Sequence, residues 1–338
     1  MMRHQYIERD SGTVVTERLL GDRMVRLLYH RMRENSTVLF NLLTSHWSSR
    51  LLAEVNFERC LSDPVAFAAR NGIDLSECLD PPARLDTARK LFERRIRYES
   101  CRTMPDDPHA VVSPADARVL TGSLREQSLF FLKEKFFSLG ELLDHNSAWG
   151  DTFTEGDFAI FRLTPDKYHY NHTPVSGQVR AHYAVEGACH SCNPAAVVSV
   201  VTPYSKNKRV VTVIDTDVPG GSGVGLVAMI EVVALMIGDI VQAYSDHGYD
   251  DPQPVLPGMF LRRGQPKSLY RPGSSTDILL FQPDRIDFAE DLLHNQTRKD
   301  LTSRFNQGFA RPLAETDIRV RSLLATARSS HSPARVRI

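Results

Sequence analysis

From about residue 108 the chain is written in short β-branched runs broken by turn residues, and this punctuation limits what it can fold into. The runs include HAVVSPADARVLTG, DFAIFRLTP, VVSVVTP, KRVVTVIDTD and STDILLF. β-branched and aromatic residues fit a pleated, half-buried surface, so each run predicts a short strand. Pro114, Pro165, Pro174, Pro203 and Gly220-Gly221 supply the turns between them. Residues 15–105 read differently. VTERLLGDRMVRLLYHRMRE and RLDTARKLFERRIRY (84–98) place apolar residues at helical spacing, and Asp80-Pro81-Pro82 marks a helix boundary. STVLFNLLTSHWSSRLLAEV (36–55) is more apolar and reads as a core-packing helix or one that touches a membrane surface. The expected fold class is α+β, with a helical N-terminal region at 1–107, a β-rich core at 108–325 and a disordered Ser/Arg-rich tail at 326–338.

The 338 residues can bury a full core, since 42% are hydrophobic. Lys plus Arg and Asp plus Glu both number 41, which argues against a general nucleic-acid binder. The longest apolar-rich stretch, 223–244, is interrupted by Glu231 and Asp239, both costly in lipid, so it predicts buried strands or helices and no membrane span. The N-terminus has no apolar signal core. Five scattered cysteines suggest a reducing compartment, so a cytoplasmic location is expected.

Three clusters could carry chemistry. VVSPADARV holds Asp116 beside Pro114, which reads as a turn Asp or as the carboxylate of a triad. FRLTPDKYHYNHTPVSG holds His169 and His172, three apart, which could share a pocket or lie on a polar surface. LYRPGSSTDILLF holds Gly273, Ser274 and Ser275 ahead of an apolar strand. Glycine lets its carbonyl be approached closely, so Ser274 Oγ could attack Gly273 if a base took its proton, although Gly-Ser-Ser-Thr is also an ordinary turn. CHSC (189–192) offers a Cys pair and His190 but lacks a second ligand pair for zinc, and no metal is expected. No Gly-x-Ser-x-Gly elbow surrounds Ser274, which disfavours a serine hydrolase.

Taken in order, these segments resemble the phosphatidylserine decarboxylase family. The likeness spans roughly 36–325: Pro114-Ala115-Asp116-Ala117, FFLKEKFFSLGELL (130–143), then Leu163, Pro165, Tyr168, His169, His172 and Pro174, then VVTVIDTD, and last GQPKSLYRPGSSTDILLF. The resemblance implies a phosphatidylserine-decarboxylase-like core that cuts itself between Gly273 and Ser274. Asp116, His172 and Ser274 would form the cutting triad, with His172 as base oriented by Asp116. Elimination and hydrolysis would leave a pyruvoyl cofactor derived from Ser274. The β chain (1–273) and the α chain (274–338) would stay associated, and His169 would donate the proton that ends the decarboxylation. The implied substrate is phosphatidylserine, with a free aromatic amino acid such as tryptophan as the alternative. Peripheral membrane contact and a homodimer are also implied.

The chain departs from the family pattern at several points. Lys167 replaces an Asp, Ala117 a Gly, Val233 a Gly and Asp239 a Ser. Leu269-Tyr270-Arg271-Pro272 precedes the cutting site, and 243–260 is longer than usual. These departures look similar to the soluble amino-acid branch of the family.

Overall fold

The computed structural model describes residues 3–19, 29, 57–125, 136–145, 147–198, 202–234, 239–273, 275–309 and 311–328. The strands in chain order are β1 (Gln5–Glu8), β2 (Val14–Thr16), β3 (Val111–Val112), β4 (Ala117–Ser123), β5 (Asp157–Leu163), β6 (Tyr170–His172), β7 (Gly177–Val185) and β8 (Arg209–Asp215). They continue with β9 (Leu226–Val233), β10 (Ile240–Gln242), β11 (Phe260–Leu261), β12 (Pro266–Tyr270), β13 (Ser275–Phe281), β14 (Ile286–Phe288), β15 (Thr316–Ile318) and β16 (Leu323–Ala327). Ten of them form one sheet in the order β11-β7-β8-β9-β13-β5-β4-β15-β1-β2, and the rest form two three-stranded sheets, β10-β12-β6 and β14-β16-β3. With short helices between, the fold is α+β, as the sequence predicts.

Period-two alternation builds both faces of the large sheet. Leu279, Phe281, Met229 and Phe161 face one core, which Tyr270, Ile240, Phe288 and Leu324 of the small sheets complete. Ile278, Leu280, Ile230 and Ile160 face a second core, closed by Leu139, Leu142, Tyr204, Phe305 and Phe309. These last residues lie on helices Leu139–Leu142, Pro203–Lys206 and Arg304–Phe309. β13 sits at the centre of this sandwich, paired antiparallel with β9 and with β5 along its whole length.

The N-terminal region is not helical throughout. Residues 5–16 form a hairpin, and β1 adds parallel to β15 at the sheet edge. Gly12, at φ 66°, makes the turn. Of the helix expected over 84–98, only Ala88–Phe92 forms, capped by Thr87, whose hydroxyl accepts from Lys90 N–H at 3.1 Å. Bridges Cys60↔Thr87 and Cys78↔Ile96 draw the flanking backbone into extended pairing. The expected helices at 36–55 and over most of 17–35 lie outside the described residues. VVSVVTP is not a strand where it is described: Asn193 caps the helix Pro194–Val197 instead. β16 runs to Ala327, two residues into the expected disordered tail, and Arg328 pairs with Asp284 and Asp287. Residues 329–338 lie outside the described residues.

A buried charge cluster ties the hairpin to the sheet. The Arg162 guanidinium donates to Glu17 at 2.9 and 2.7 Å and to Glu315 at 2.9 and 2.6 Å. His4 Nε2 lies 2.7 Å from Glu315. His4, Glu17 and Glu315 bring their ligand atoms within 4.8 Å of one another, but the guanidinium already supplies the cation there. Burial raises both carboxyls, and Arg162 more than offsets it, so both sit below the ordinary glutamate range. Removing one member of a buried ion cluster leaves uncompensated charge. We expect Arg162→Met to lose about 3–5 kcal/mol in denaturant unfolding at neutral pH. Depressed carboxyls stabilise above their unfolded pKa and lose that effect as pH falls through the folded value, so the gap between variant and wild type narrows below about pH 4. A gap under about 1 kcal/mol at neutral pH would show that the cluster does not hold the hairpin.

Candidate active site

Residues 167–172 run along β12, with Tyr170 opposite Leu269 and His172 opposite Pro266. His172 is fully buried. Its Nδ1 lies 2.8 Å from the Gly264 carbonyl, which can only accept, so Nδ1 carries the ring proton. Nε2 therefore accepts, from Tyr168 Oη at 2.9 Å. Tyr249, supplied by the long 243–260 segment, lies 2.6 Å from Tyr168 Oη and 3.1 Å from the Ile96 carbonyl. Tyr98 meets the imidazole edge-on with centroids 4.9 Å apart. Burial holds the His172 pKa down, to about 3. The ring is neutral and basic at Nε2.

Asp116 does not orient His172 through its side chain. Its carboxylate takes Arg102 Nε and Nη2 at 3.0 and 2.7 Å and the Val320 N–H at 2.8 Å. Arg102 also grips Glu77 at 2.7 and 2.8 Å. Burial raises the Asp116 carboxyl, and the guanidinium more than offsets it, leaving it below the usual range. The link to His172 runs through backbone: His172 N–H donates to the Pro114 carbonyl at 2.7 Å. The expected Asp–His contact fails because Arg102, fourteen residues upstream, takes the carboxylate first.

His169 is also fully buried, stacked on Phe92 with centroids 3.5 Å apart. Nδ1 lies 2.8 Å from the Lys167 carbonyl and so carries the proton, while Nε2 has no partner among the described residues. Burial, then the nearby Arg94 charge, pull its pKa down to about 3. The resting ring presents a bare lone pair at Nε2, which accepts a proton and cannot donate one. Lys167, which replaces the family's Asp, pairs with Asp317 at 2.7 Å.

Ser274 lies outside the described residues, so its place beside His172 is not described. Its neighbours are. Gly273 has φ 148°, a backbone state that side-chain-bearing residues rarely adopt. Ser275 opens β13 opposite Val233 and Leu163, and its buried Oγ has no hydrogen-bond partner among the described residues. Val233, a departure from the family pattern, thus borders this position directly.

Two residues on, Asp277 lies opposite Glu231, and both are fully buried. Glu231 receives Lys267 Nζ at 2.6 Å, Asn171 Nδ2 at 3.3 Å and the Ser268 hydroxyl. Tyr270 Oη is 2.7 Å from Asp277 Oδ1, while Oδ2 has no partner among the described residues. Sequence reasoning missed this group. Its signal was Glu231, a charge inside an apolar run, which was read only as excluding a membrane span. On the opposite face, Cys192 Sγ accepts from the Thr276 hydroxyl at 2.9 Å, and burial pushes that thiol up to about 12.

Both imidazoles should stay in the neutral Nδ1–H form from about pH 8 down to about pH 5, observable by nitrogen NMR of labelled histidine. Because an unfolded histidine takes its proton near 6.5, their contribution to stability declines as pH falls from there towards about 3. A ring titrating near 6.5 in the folded protein would refute this burial.

With this geometry in view, similarity to known proteins is informative. A family model described as phosphatidylserine decarboxylase matches residues 88–307. The chain is 26% identical to the phosphatidylserine decarboxylase proenzyme of Fusobacterium nucleatum over 309 residues, covering 90% of this chain and 95% of the relative. It is 30% identical to the proenzyme of Chlamydia trachomatis over 298 residues (85% and 90%), and 31% identical to that of Photobacterium profundum over 242 (68% and 80%). The matched span holds the two buried imidazoles, Gly273 and the whole of β13, and on this footing the chain belongs to the phosphatidylserine decarboxylase family of carboxy-lyases.

Proposed function

We propose that this chain is a proenzyme that cuts its own backbone ahead of β13 and then converts phosphatidylserine to phosphatidylethanolamine and carbon dioxide. The observation that carries the reading is Gly273, at φ 148°, two residues ahead of Ser275, which opens a buried strand and whose hydroxyl has no partner among the described residues. A glycine carbonyl open to close approach and a hydroxyl free to attack are what an N→O acyl shift needs. His172 would be the base: its ring is neutral, and Nε2 would take the hydrogen that the Tyr168 hydroxyl already points at it while that hydroxyl receives the serine's proton. Gly264 and the Tyr168–Tyr249 pair orient it, in the role first expected of Asp116.

The cut would convert Ser274 into a pyruvoyl group, whose ketone condenses with an amine and draws off electrons as the carboxylate leaves. Unpartnered buried atoms at Ser275 Oγ, His169 Nε2 and Asp277 Oδ2 are compatible with a group that the uncut chain does not yet contain. His169 would accept a proton at Nε2, and Phe92 would keep water from that ring. The α chain, 274–338, would remain seated because β13 pairs on both edges.

A second reading differs by one residue. Ser275, whose hydroxyl is buried and unpartnered, would attack the Ser274 carbonyl, so that the cut falls between them. This would put the ketone on the same face of β13 as Asp277.

The phospholipid reading is supported by the names of the relatives above, and nothing favours a free amino acid over it. Among the described residues no helix is long and apolar enough to cross a membrane. We read the lipid as met by peripheral contact; a cytoplasmic location rests on the scattered cysteines, and a homodimer on the sequence resemblance alone.

Mass spectrometry should find two fragments, the smaller with a pyruvoyl end at 274 or 275. Only one of Ser274→Ala and Ser275→Ala should abolish cutting, and that variant names the serine. His172→Ala should slow cutting by about 10²-fold or more. Phosphatidylserine vesicles should release carbon dioxide, whereas tryptophan, tyrosine and phenylalanine should not. An intact wild-type chain of 38.1 kDa would overturn the self-cutting reading.

A further inference from the structure

Buried carboxyls are expensive, and this site holds two facing each other. Directly opposed residues on antiparallel strands bring their Cβ atoms to about 4.5–5.5 Å. Asp277 and Glu231 stand in that relation, both fully buried. One cation serves them, since Lys267 Nζ sits on Glu231 at 2.6 Å. Asn171 and Ser268 also spend their hydrogens on Glu231. Asp277 receives no cation and one hydrogen bond, from Tyr270. Two carboxylates in one dry site with a single ammonium cannot both ionise at modest cost.

Tyr270 also locates the proton. Its hydroxyl oxygen accepts from the Val232 N–H at 3.1 Å, and its own hydrogen points towards Asp277 Oδ1 at 2.7 Å or the Thr276 carbonyl at 3.0 Å. The shorter contact puts that hydrogen on Oδ1, and the remaining site on Asp277 is Oδ2, which has no partner among the described residues. Burial first, then the charge of Glu231, push this carboxyl well above its usual range. The same backbone links it to His169, because Tyr270 N–H donates to the His169 carbonyl at 3.1 Å. His169, bare at Nε2, can receive a proton but has none there to give.

We infer that Asp277 is held as an un-ionised carboxylic acid with its proton on Oδ2, and that this proton goes to the substrate carbon that has lost carbon dioxide. The departing carboxylate leaves its bonding electron pair on that carbon. The O–H bond of Asp277 breaks, a C–H bond forms with the pair, and Asp277 remains a carboxylate until water returns a proton. The substrate class is an α-amino carboxylate, free or on a lipid headgroup. The inference deepens the decarboxylase reading above and rests on it in the form that places the ketone at Ser275, on the face of β13 that Asp277 shares.

Infrared spectroscopy of the uncut Ser274→Ala/Ser275→Ala chain tests the proton directly. An un-ionised carboxyl stretch should be present at neutral pH, move on isotopic labelling of aspartate, vanish in Asp277→Asn and shift in Tyr270→Phe. Asp277→Asn keeps a neutral hydrogen-bonding shape but no acidic proton. Its turnover per cut chain should fall about 10²-fold or more, mainly in kcat. If that variant stays uncut, Tyr270→Phe carries the rate measurement, with a loss of about tenfold and a displaced pH profile expected. Absence of the band, or rates within a few-fold of wild type, would overturn the inference. Because the infrared measurement uses a chain that is never cut, its failure is distinct from failure of the self-cutting reading, which the wild-type fragment masses decide.

Discussion

β13 is hydrogen-bonded along both edges, to β9 and to β5, and most of the site follows from that pairing. Because strand side chains alternate, fixing the register of Ser275 against Val233 and Leu163 also fixes Asp277 against Glu231 and Phe161. A one-residue slip would send both polar side chains into the helix-covered core among Ile160, Ile230 and Leu142, and carry Ile278 and Leu280 out of it. Register here selects chemistry as well as packing.

The buried charges divide into two kinds. Around Arg162 a guanidinium with two forks meets two carboxylates, and the donors and acceptors nearly balance. Such a cluster costs desolvation but resists rearrangement, and it fastens the first residues of the chain to the sheet edge. Around Glu231 the count is uneven, with two carboxyls and one lysine. Unsatisfied buried polar atoms are uncommon in folded proteins, and among the described residues two of them, Ser275 Oγ and Asp277 Oδ2, lie on β13 itself. The first kind suits a joint, and the second suits a place where protons change hands.

Local pattern made much of the sheet legible. DFAIFRL, KRVVTVID and STDILLF alternate and are bounded by turns, and each is a strand. VVSVVTP misled because Asn193-Pro194 is a helix start that outweighs the valines after it. The hairpin at 5–16 was readable from Asp10-Ser11-Gly12, but the leucines that follow drew attention to helical spacing. At the site, the types of His169, His172 and Gly273 were legible, whereas their partners were not. Arg102 with Asp116, Tyr249 with Tyr168 and Lys267 with Glu231 join residues 14, 81 and 36 positions apart. No local periodicity encodes such meetings.

The long segment that carries Tyr249 also has a dynamic meaning. Its hydroxyl joins the Ile96 backbone on one side and the Tyr168 ring on the other. A single phenol thereby reports to the basic imidazole whether two stretches of chain, more than a hundred and fifty residues apart, have both arrived. Until they have, Tyr168 lacks its second tether. Completion of the fold is in this sense a condition on basicity: the phenol that donates to the nitrogen is held from behind only once the segment carrying Tyr249 has packed against Ile96.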